Sequence, residues 1–240
     1  KAEKIRRNEA EADKAASKKQ VDVLTQTWSS QISTPHLTYA LIAGCVGVFI
    51  ALQTDLAPGL KQTLSISSYT VKGGSVTWLG LSDIGDGQLW RLITPILMHF
   101  GFLHIIFNMM WLHELGKMFE HKHGALKLII FVIFTGIFSN LVQYIDFPLD
   151  QLGGKEVFGR GPMFGGMSGV VYALAGYCWI RGRLTPFSEI GLPPEIMRFM
   201  MIWFAVCFLP FMGIANGAHT GGLLAGLAIG WISAQVALKE

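Results

Sequence analysis

A hydroxyl, several imidazoles and two amides stand in this chain where apolar runs are long enough to exclude water. Ser168 lies between Gly166 and Gly169 in FGGMSGVVYAL, with Tyr172 four residues on. His99, His104 and Asn108 belong to HFGFLHIIFN, while Asn216 and His219 open IANGAHTGGLLAGLAIG. Polar side chains at membrane depth are costly, so each is a functional hypothesis. A serine hydroxyl becomes a usable nucleophile when an imidazole takes its proton. Residues four apart share a helix face, which pairs His104 with Asn108 and Ser168 with Tyr172. Gly222, Gly226 and Gly230 repeat every fourth position after His219, a strip of small residues that lets another helix approach closely. If that strip packs on the helix of Ser168, His219 comes within hydrogen-bond reach of the hydroxyl.

Each signal alone has a plain structural reading: GMSG as helix packing, a buried His bonding a carbonyl, a glycine repeat as a helix seam. Their co-occurrence toward one leaflet is what points to chemistry. Other chemistries lack their residues. A zinc protease needs His-Glu-x-x-His on one face, but His113-Glu114 is followed by Leu-Gly-Lys. No Asp lies inside any apolar run, which removes an aspartyl dyad and a Ser-His-Asp triad. GMSGV also lacks the second glycine of the G-x-S-x-G elbow of soluble hydrolases.

The elements that must position these groups follow from hydropathy. The 240-residue chain is 51% hydrophobic and 15% charged with a mean hydropathy of +0.44, short of the roughly one quarter charge of soluble domains. Apolar runs cover Leu37 to Leu52, Leu92 to Leu112, Leu128 to Ile145, Gly161 to Ile180, Phe199 to Ala218 and Thr220 to Leu238. A crossing helix needs about 20 such residues, so six membrane spans are expected, the first marginal. Most Lys and Arg fall in the first twenty residues, after spans two and four, and at Lys239; Lys61, Lys72, Arg91, Lys155 and Arg160 fall on the other side. The positive-inside rule then puts both termini in the cytoplasm and the segments Asp55 to Arg91 and Asp146 to Arg160 outside. Cys45, Cys178 and Cys207 read as buried small hydrophobes rather than a disulfide framework. The first twenty residues have no apolar core and are no signal peptide.

With these residues in view, the chain resembles the rhomboid intramembrane serine proteases in their bacterial, GlpG-type six-span form. The likeness covers about residues 36 to 236. It rests on Trp90-Arg91 in the first outer loop, His104-x-x-x-Asn108 in a wider HFxxxHxxFN pattern that includes His99, Gly166-Met167-Ser168-Gly169 followed by Tyr172, and Ala218-His219 followed by Gly222 and Gly226. The resemblance implies that Ser168 is the nucleophile and His219 its general base and acid, with Tyr172 packed on the imidazole. It implies an oxyanion hole of Asn108, His104 and the Ser168 N–H, and Gly165 and Gly166 as room for substrate backbone. Trp90 and Arg91 are expected to anchor the outer loop, the Arg reaching carbonyl or lipid groups. One departure is a longer first loop from Ala57 to Asp86.

The expected fold is therefore an all-α membrane protein, a six-transmembrane-helix rhomboid bundle with a long interfacial loop between helices 1 and 2. Residues 1–35 would be a cytoplasmic polar tail or linker, the end of an upstream domain if the chain starts earlier, and residues 36–238 the six-helix domain. The expected function is an intramembrane serine endopeptidase that cleaves transmembrane substrates near the outer (periplasmic) face by a Ser-His dyad, in the bacterial inner membrane. The alternative is a catalytically silent relative that binds membrane segments; such relatives lose the Ser or His that this chain keeps. A transporter is disfavoured by the lack of an internal repeat or buried charge pair. No cofactor, metal or nucleic-acid partner is expected; membrane lipids and substrate helices are. Span five, rich in aromatics and Met with Pro210, suits a movable wall for substrate entry equally with an ordinary lipid-facing helix.

Overall fold

The computed structural model describes residues 11, 34–72, 75–152, 163–185, 190–209 and 214–238. The tail through residue 33, apart from residue 11, and Lys155, Arg160, Pro210 and Lys239 lie outside the described residues. The first helix, α1 (His36–Ala51), is a run of aliphatic and small residues whose preceding Pro35 offers no capping side chain. A distant carboxylate caps it instead. Glu120 accepts hydrogen bonds from the Leu37 N–H at 2.9 Å, the Thr38 N–H at 2.8 Å and the Thr38 hydroxyl at 2.7 Å. Negative charge at a helix N-terminus is favourable, and charge-assisted bonds are the strong ones.

The loop that follows contains α2 (Ala57–Leu64), a hairpin of β1 (Tyr69–Lys72) and β2 (Ser75–Trp78), and the short α3 (Ser82–Gly85). Two 3-10 turns, Leu89–Leu92 and Thr94–Leu97, complete it. The hairpin corrects the all-α expectation: among the described residues the fold is mostly helical with one two-stranded antiparallel element. Its cause is local, since β-branched and aromatic residues flank Gly73-Gly74 in the sequence and the Tyr69 and Trp78 rings pack across the strands at 4.9 Å. Arg91 gathers the loop. It donates to the Gln62 carbonyl at 2.6 Å, the Ser65 carbonyl at 2.9 Å and Gln88 Oε1 at 2.8 Å, with Asp83 3.8 Å away. Trp90 Nε1 donates to the Thr63 carbonyl at 3.3 Å.

The next helical stretch starts at Phe102, ten residues after the expected Leu92, because Pro95 sits at the start of a 3-10 turn and Gly101 is extended. It runs as α4 (Phe102–Trp111), a π-helical turn at Leu112–Gly116 and α5 (Lys117–His123). Gly124, at a φ of 82° that glycine adopts freely, ends it, and α6 (Ala125–Leu152) follows. The remaining helices are α7 (Ser168–Leu184), α8 (Pro194–Cys207) and α9 (Asn216–Ala237). Helix α7 thus begins at Ser168 rather than Gly161, and α8 begins and ends earlier than the apolar run Phe199 to Ala218. Among the described residues, Ala125–Ile145 and Asn216–Ala237 are long and apolar enough to cross a membrane by length and composition; α1 is a shorter apolar helix.

Helix α7 is the centre of the bundle, buried without a break from Gly169 to Cys178, as expected of a helix apolar all round. Helix α9 lies against it along the glycine strip. A side chain at Gly222 would collide with the backbone of Gly169, and one at Gly226 with the backbone of Ala173. The interior mixes large apolar, small and polar residues, while Phe102, Leu103, Ile130, Phe134, Ile202 and Trp231 face outward. An apolar exterior around satisfied backbone suits a bilayer as solvent.

Candidate active site

Ser168 is the first residue of α7 and His219 lies in the first turn of α9. Their approach is a product of the glycine seam: the two helix heads sit side by side, and His219 Nε2 stands 2.8 Å from Ser168 Oγ. Among the described residues the buried Nδ1 of His219 has no partner, and no carboxylate completes a triad. Its ring is held by packing, with the Tyr172 ring 4.8 Å away at 40°. Tyr172 is itself fixed by a hydrogen bond from its hydroxyl to the Met200 carbonyl at 3.3 Å and by the Phe204 ring at 5.4 Å. If the serine O–H donates to Nε2, the proton of the neutral imidazole is on Nδ1. That is the arrangement a general base needs.

The other residues singled out converge on the same end. His104 and Asn108 lie one turn apart on α4, and the Asn108 amide donates to the His104 carbonyl at 2.8 Å. The buried Asn108 Oδ1 has no partner. The His104 ring edge faces Gly166, where a Cβ would meet Nε2 at 2.6 Å, and Gly166 adopts φ 121°. Gly165 has a further reason to lack a side chain: a Cβ there would press on the Met98 and Pro95 carbonyls at 2.8 and 2.9 Å. His99 is fully buried beside His104, ring centroids 4.9 Å apart. The N–H groups of Ser168, Gly169 and Val170, at the start of α7, have no intrahelical acceptor and present the positive end of the helix dipole. Trp90, Arg91, Gly222 and Gly226 do not line the cavity; the first two hold the loop after α1 and the glycines hold the seam.

Sequence reasoning passed over a polar row on α6. Thr135, Ser139, Asn140 and Gln143 are all buried. Gln143 Oε1 accepts the Ala218 N–H at 3.0 Å, bracing the residue before His219, and Asn140 donates to the Leu92 carbonyl at 2.8 Å. Ser139 lies where a Gly169 side chain would be, 2.5 Å from its ideal Cβ. The signal was available: positions 135, 139 and 143 are polar at a spacing of four inside an apolar run. Asn216, noted for its place but not its role, donates to the Cys207 carbonyl at 2.9 Å and ties α9 to the end of α8.

A cavity of about 580 Å³ joins these groups, running from Ser168, His219, His104 and Asn108 toward Phe107 and Trp203 at the α4–α8 seam. Helix α8 closes that seam with aromatic side chains, Phe107–Trp203 at 6.0 Å and Trp111–Phe199 at 6.2 Å. Among the described residues no group of three His, Cys, Asp or Glu converges to hold a metal ion.

Comparison with known proteins agrees with the motifs. The model of the Rhomboid domain matches residues 86–236. The chain is 34% identical over 208 residues, 85% of its length, to the rhomboid protease GlpG of Salmonella paratyphi A (strain ATCC 9150 / SARB42). The same figures hold for the proteins of that name from Salmonella typhi and Salmonella newport (strain SL254). The chain spans 65% of the length of these relatives. A matched domain that contains the Ser168, His219, His104 and Asn108 cluster leaves one assignment: the chain belongs to the rhomboid family.

Proposed function

We propose that the chain is an intramembrane serine endopeptidase that uses Ser168 and His219 as a dyad. The observation that carries this reading is the 2.8 Å contact between His219 Nε2 and Ser168 Oγ at the heads of two helices, in a cavity that also contains His104 and Asn108. Ser168 Oγ attacks the scissile carbonyl carbon as its proton passes to His219 Nε2. The carbonyl oxygen becomes an oxyanion that accepts from the Ser168 N–H, the Asn108 amide and His104. On collapse the C–N bond breaks and His219 returns the proton to the leaving amine, giving an acyl-enzyme. Water then repeats the sequence with His219 as base, releasing the carboxylate and restoring Ser168. Tyr172 keeps the imidazole plane in place, the job of a carboxylate in a triad.

The substrates are transmembrane segments of other proteins. Six crossings, formed by α1, the stretch from α4 through the π-helical turn, α6, α7, α8 and α9, make residues 36–238 one domain, preceded by a cytoplasmic tail over residues 1–35. The distribution of Lys and Arg supports cytoplasmic termini in a bacterial inner membrane, with the cavity toward the outer aqueous face, which supplies the hydrolytic water. The aromatic seam between α4 and α8 suits entry of a substrate helix from the lipid.

The test uses the purified chain in detergent or liposomes. A fluorophosphonate probe should label the wild type and not Ser168→Ala. Both Ser168→Ala and His219→Ala should abolish cleavage of a transmembrane reporter while folding persists. Robust cleavage by Ser168→Ala protein defeats the mechanism.

A further inference from the structure

We propose that His99 is a positioning residue that locks the backbone leading into Ser168 to the turn Thr94–Leu97, as a single neutral Nδ1–H tautomer. The inference deepens the protease reading and rests on it for its kinetic consequences, but its geometry stands alone. His99 lies between that turn and α4, fully buried. Its Nε2 is 3.3 Å from the Met167 backbone nitrogen, and its Nδ1 is 3.2 Å from the Leu97 carbonyl. A backbone N–H can only donate, so Nε2 presents a lone pair. A carbonyl can only accept, so Nδ1 carries the hydrogen. Both ring nitrogens are thereby spoken for, and neither the opposite tautomer nor the imidazolium fits both partners.

Met167 is the cap residue immediately before the nucleophile. The Gly166 N–H beside it donates to the Pro95 carbonyl at 3.0 Å, and Gly165 rests on the Pro95 and Met98 carbonyls. The approach to α7 is therefore pinned to the turn at successive residues, and the side chain of His99 hydrogen-bonds to both. Its ring also lies against His104, so one residue sets both the Ser168 peptide and an adjoining imidazole. The turn in turn follows Leu89–Leu92, which Arg91 ties to the loop after α1. His99 thus links the loop to the nucleophile without touching substrate.

The test compares His99→Phe, which keeps a ring but loses both hydrogen bonds, with His99→Gln, whose carbonyl can again accept the Met167 N–H. Misplacing a reacting group by about 1 Å costs on the order of 100-fold. His99→Phe should therefore lower kcat roughly 10- to 100-fold with KM little changed. Its fluorophosphonate labelling should slow by a similar factor yet reach the wild-type amplitude, because amplitude counts folded protein and rate reports positioning. His99→Gln should recover most of both rates. The idea is overturned if His99→Phe matches the wild type, if both variants are equally impaired, or if only labelling amplitude falls. Nitrogen-15 NMR of histidine-labelled chain decides the geometry even if the wild type proves inactive: a protonated Nε2 on His99 overturns the proposal, whereas an unlabelled wild-type Ser168 overturns only the protease reading.

Discussion

Gly222→Ala should disable the dyad without touching it. Gly222 lies one turn beyond His219 on α9 and faces Gly169, the residue after Ser168 on α7. A Cβ at Gly222 would run into the Gly169 carbonyl oxygen first, and even the carbonyl carbon and Cα behind it would stand only 2.7 and 3.1 Å away, where ordinary contacts begin at 3.4 Å. Both partners are helix backbone, which cannot rotate away. The helices must therefore part by at least about 0.7 Å, since packed interiors transmit such strain rather than absorb it. The same displacement carries the Ser168–His219 distance from 2.8 Å to about 3.5 Å, the limit at which a hydrogen bond ceases to count. The expected cost is about 1–3 kcal/mol of stability from overpacking, and a fall in kcat of roughly 10- to 100-fold from misplacement of the base. Gly44→Ala supplies the control, because nothing lies within 4 Å of a Cβ at that exposed position of α1. There the exchange should leave cleavage unchanged and add up to about 1 kcal/mol through helix propensity. The assays are cleavage of a transmembrane reporter, the rate of Ser168 labelling and thermal unfolding, run on both variants. Wild-type cleavage and wild-type melting of Gly222→Ala would refute the close-approach reasoning.

Two further outcomes are expected away from the dyad. Glu120→Ala should lower stability by about 2–4 kcal/mol, because it removes a charge-assisted cap and leaves the Leu37 and Thr38 N–H groups of α1 without an acceptor; thermal unfolding reads it, and a loss below about 0.5 kcal/mol contradicts the capping role. His123, the last residue of α5, bonds the Tyr177 hydroxyl at 2.8 Å, and that hydroxyl also reaches Ser233 at 3.0 Å. Burial first, and then the cations Lys127, Arg181 and Lys122, lower its pKa from 6.5 to about 4. The unfolded chain therefore takes up the proton more readily, so His123 contributes fully above pH 6.5 and its contribution is lost as pH falls from 6.5 toward 4. The difference in melting temperature between wild type and His123→Gln should be flat above pH 6.5 and change below it; a flat difference down to pH 4 rejects the assignment.

How much of this was legible beforehand divides along the range of the interactions. Helical spacing is a local property, so the shared faces of His104 with Asn108 and Ser168 with Tyr172, and the strip Gly222, Gly226, Gly230, could be read from the chain alone. The hairpin of β1 and β2 was equally local and was missed, because the loop was read as an interfacial element rather than for its β-branched and aromatic residues. Helix ends were legible only in part: Pro95 and Gly101 delay α4 until Phe102, and the stretch before Ser168 is held irregular by Pro95, Met98 and His99 from a distant turn. The 2.8 Å contact of Ser168 with His219 joins residues 51 positions apart, and those of His99 with Met167 and of Gln143 with Ala218 span 68 and 75. Spacing along one helix says which side chains share a face. It does not say which helix that face meets, at what height, or which carbonyl an Arg91 will find, because those depend on how whole helices settle against one another. The residue types and their faces were written in the chain; the distances that turn them into a site were decided by the α7–α9 seam and the turn beneath it.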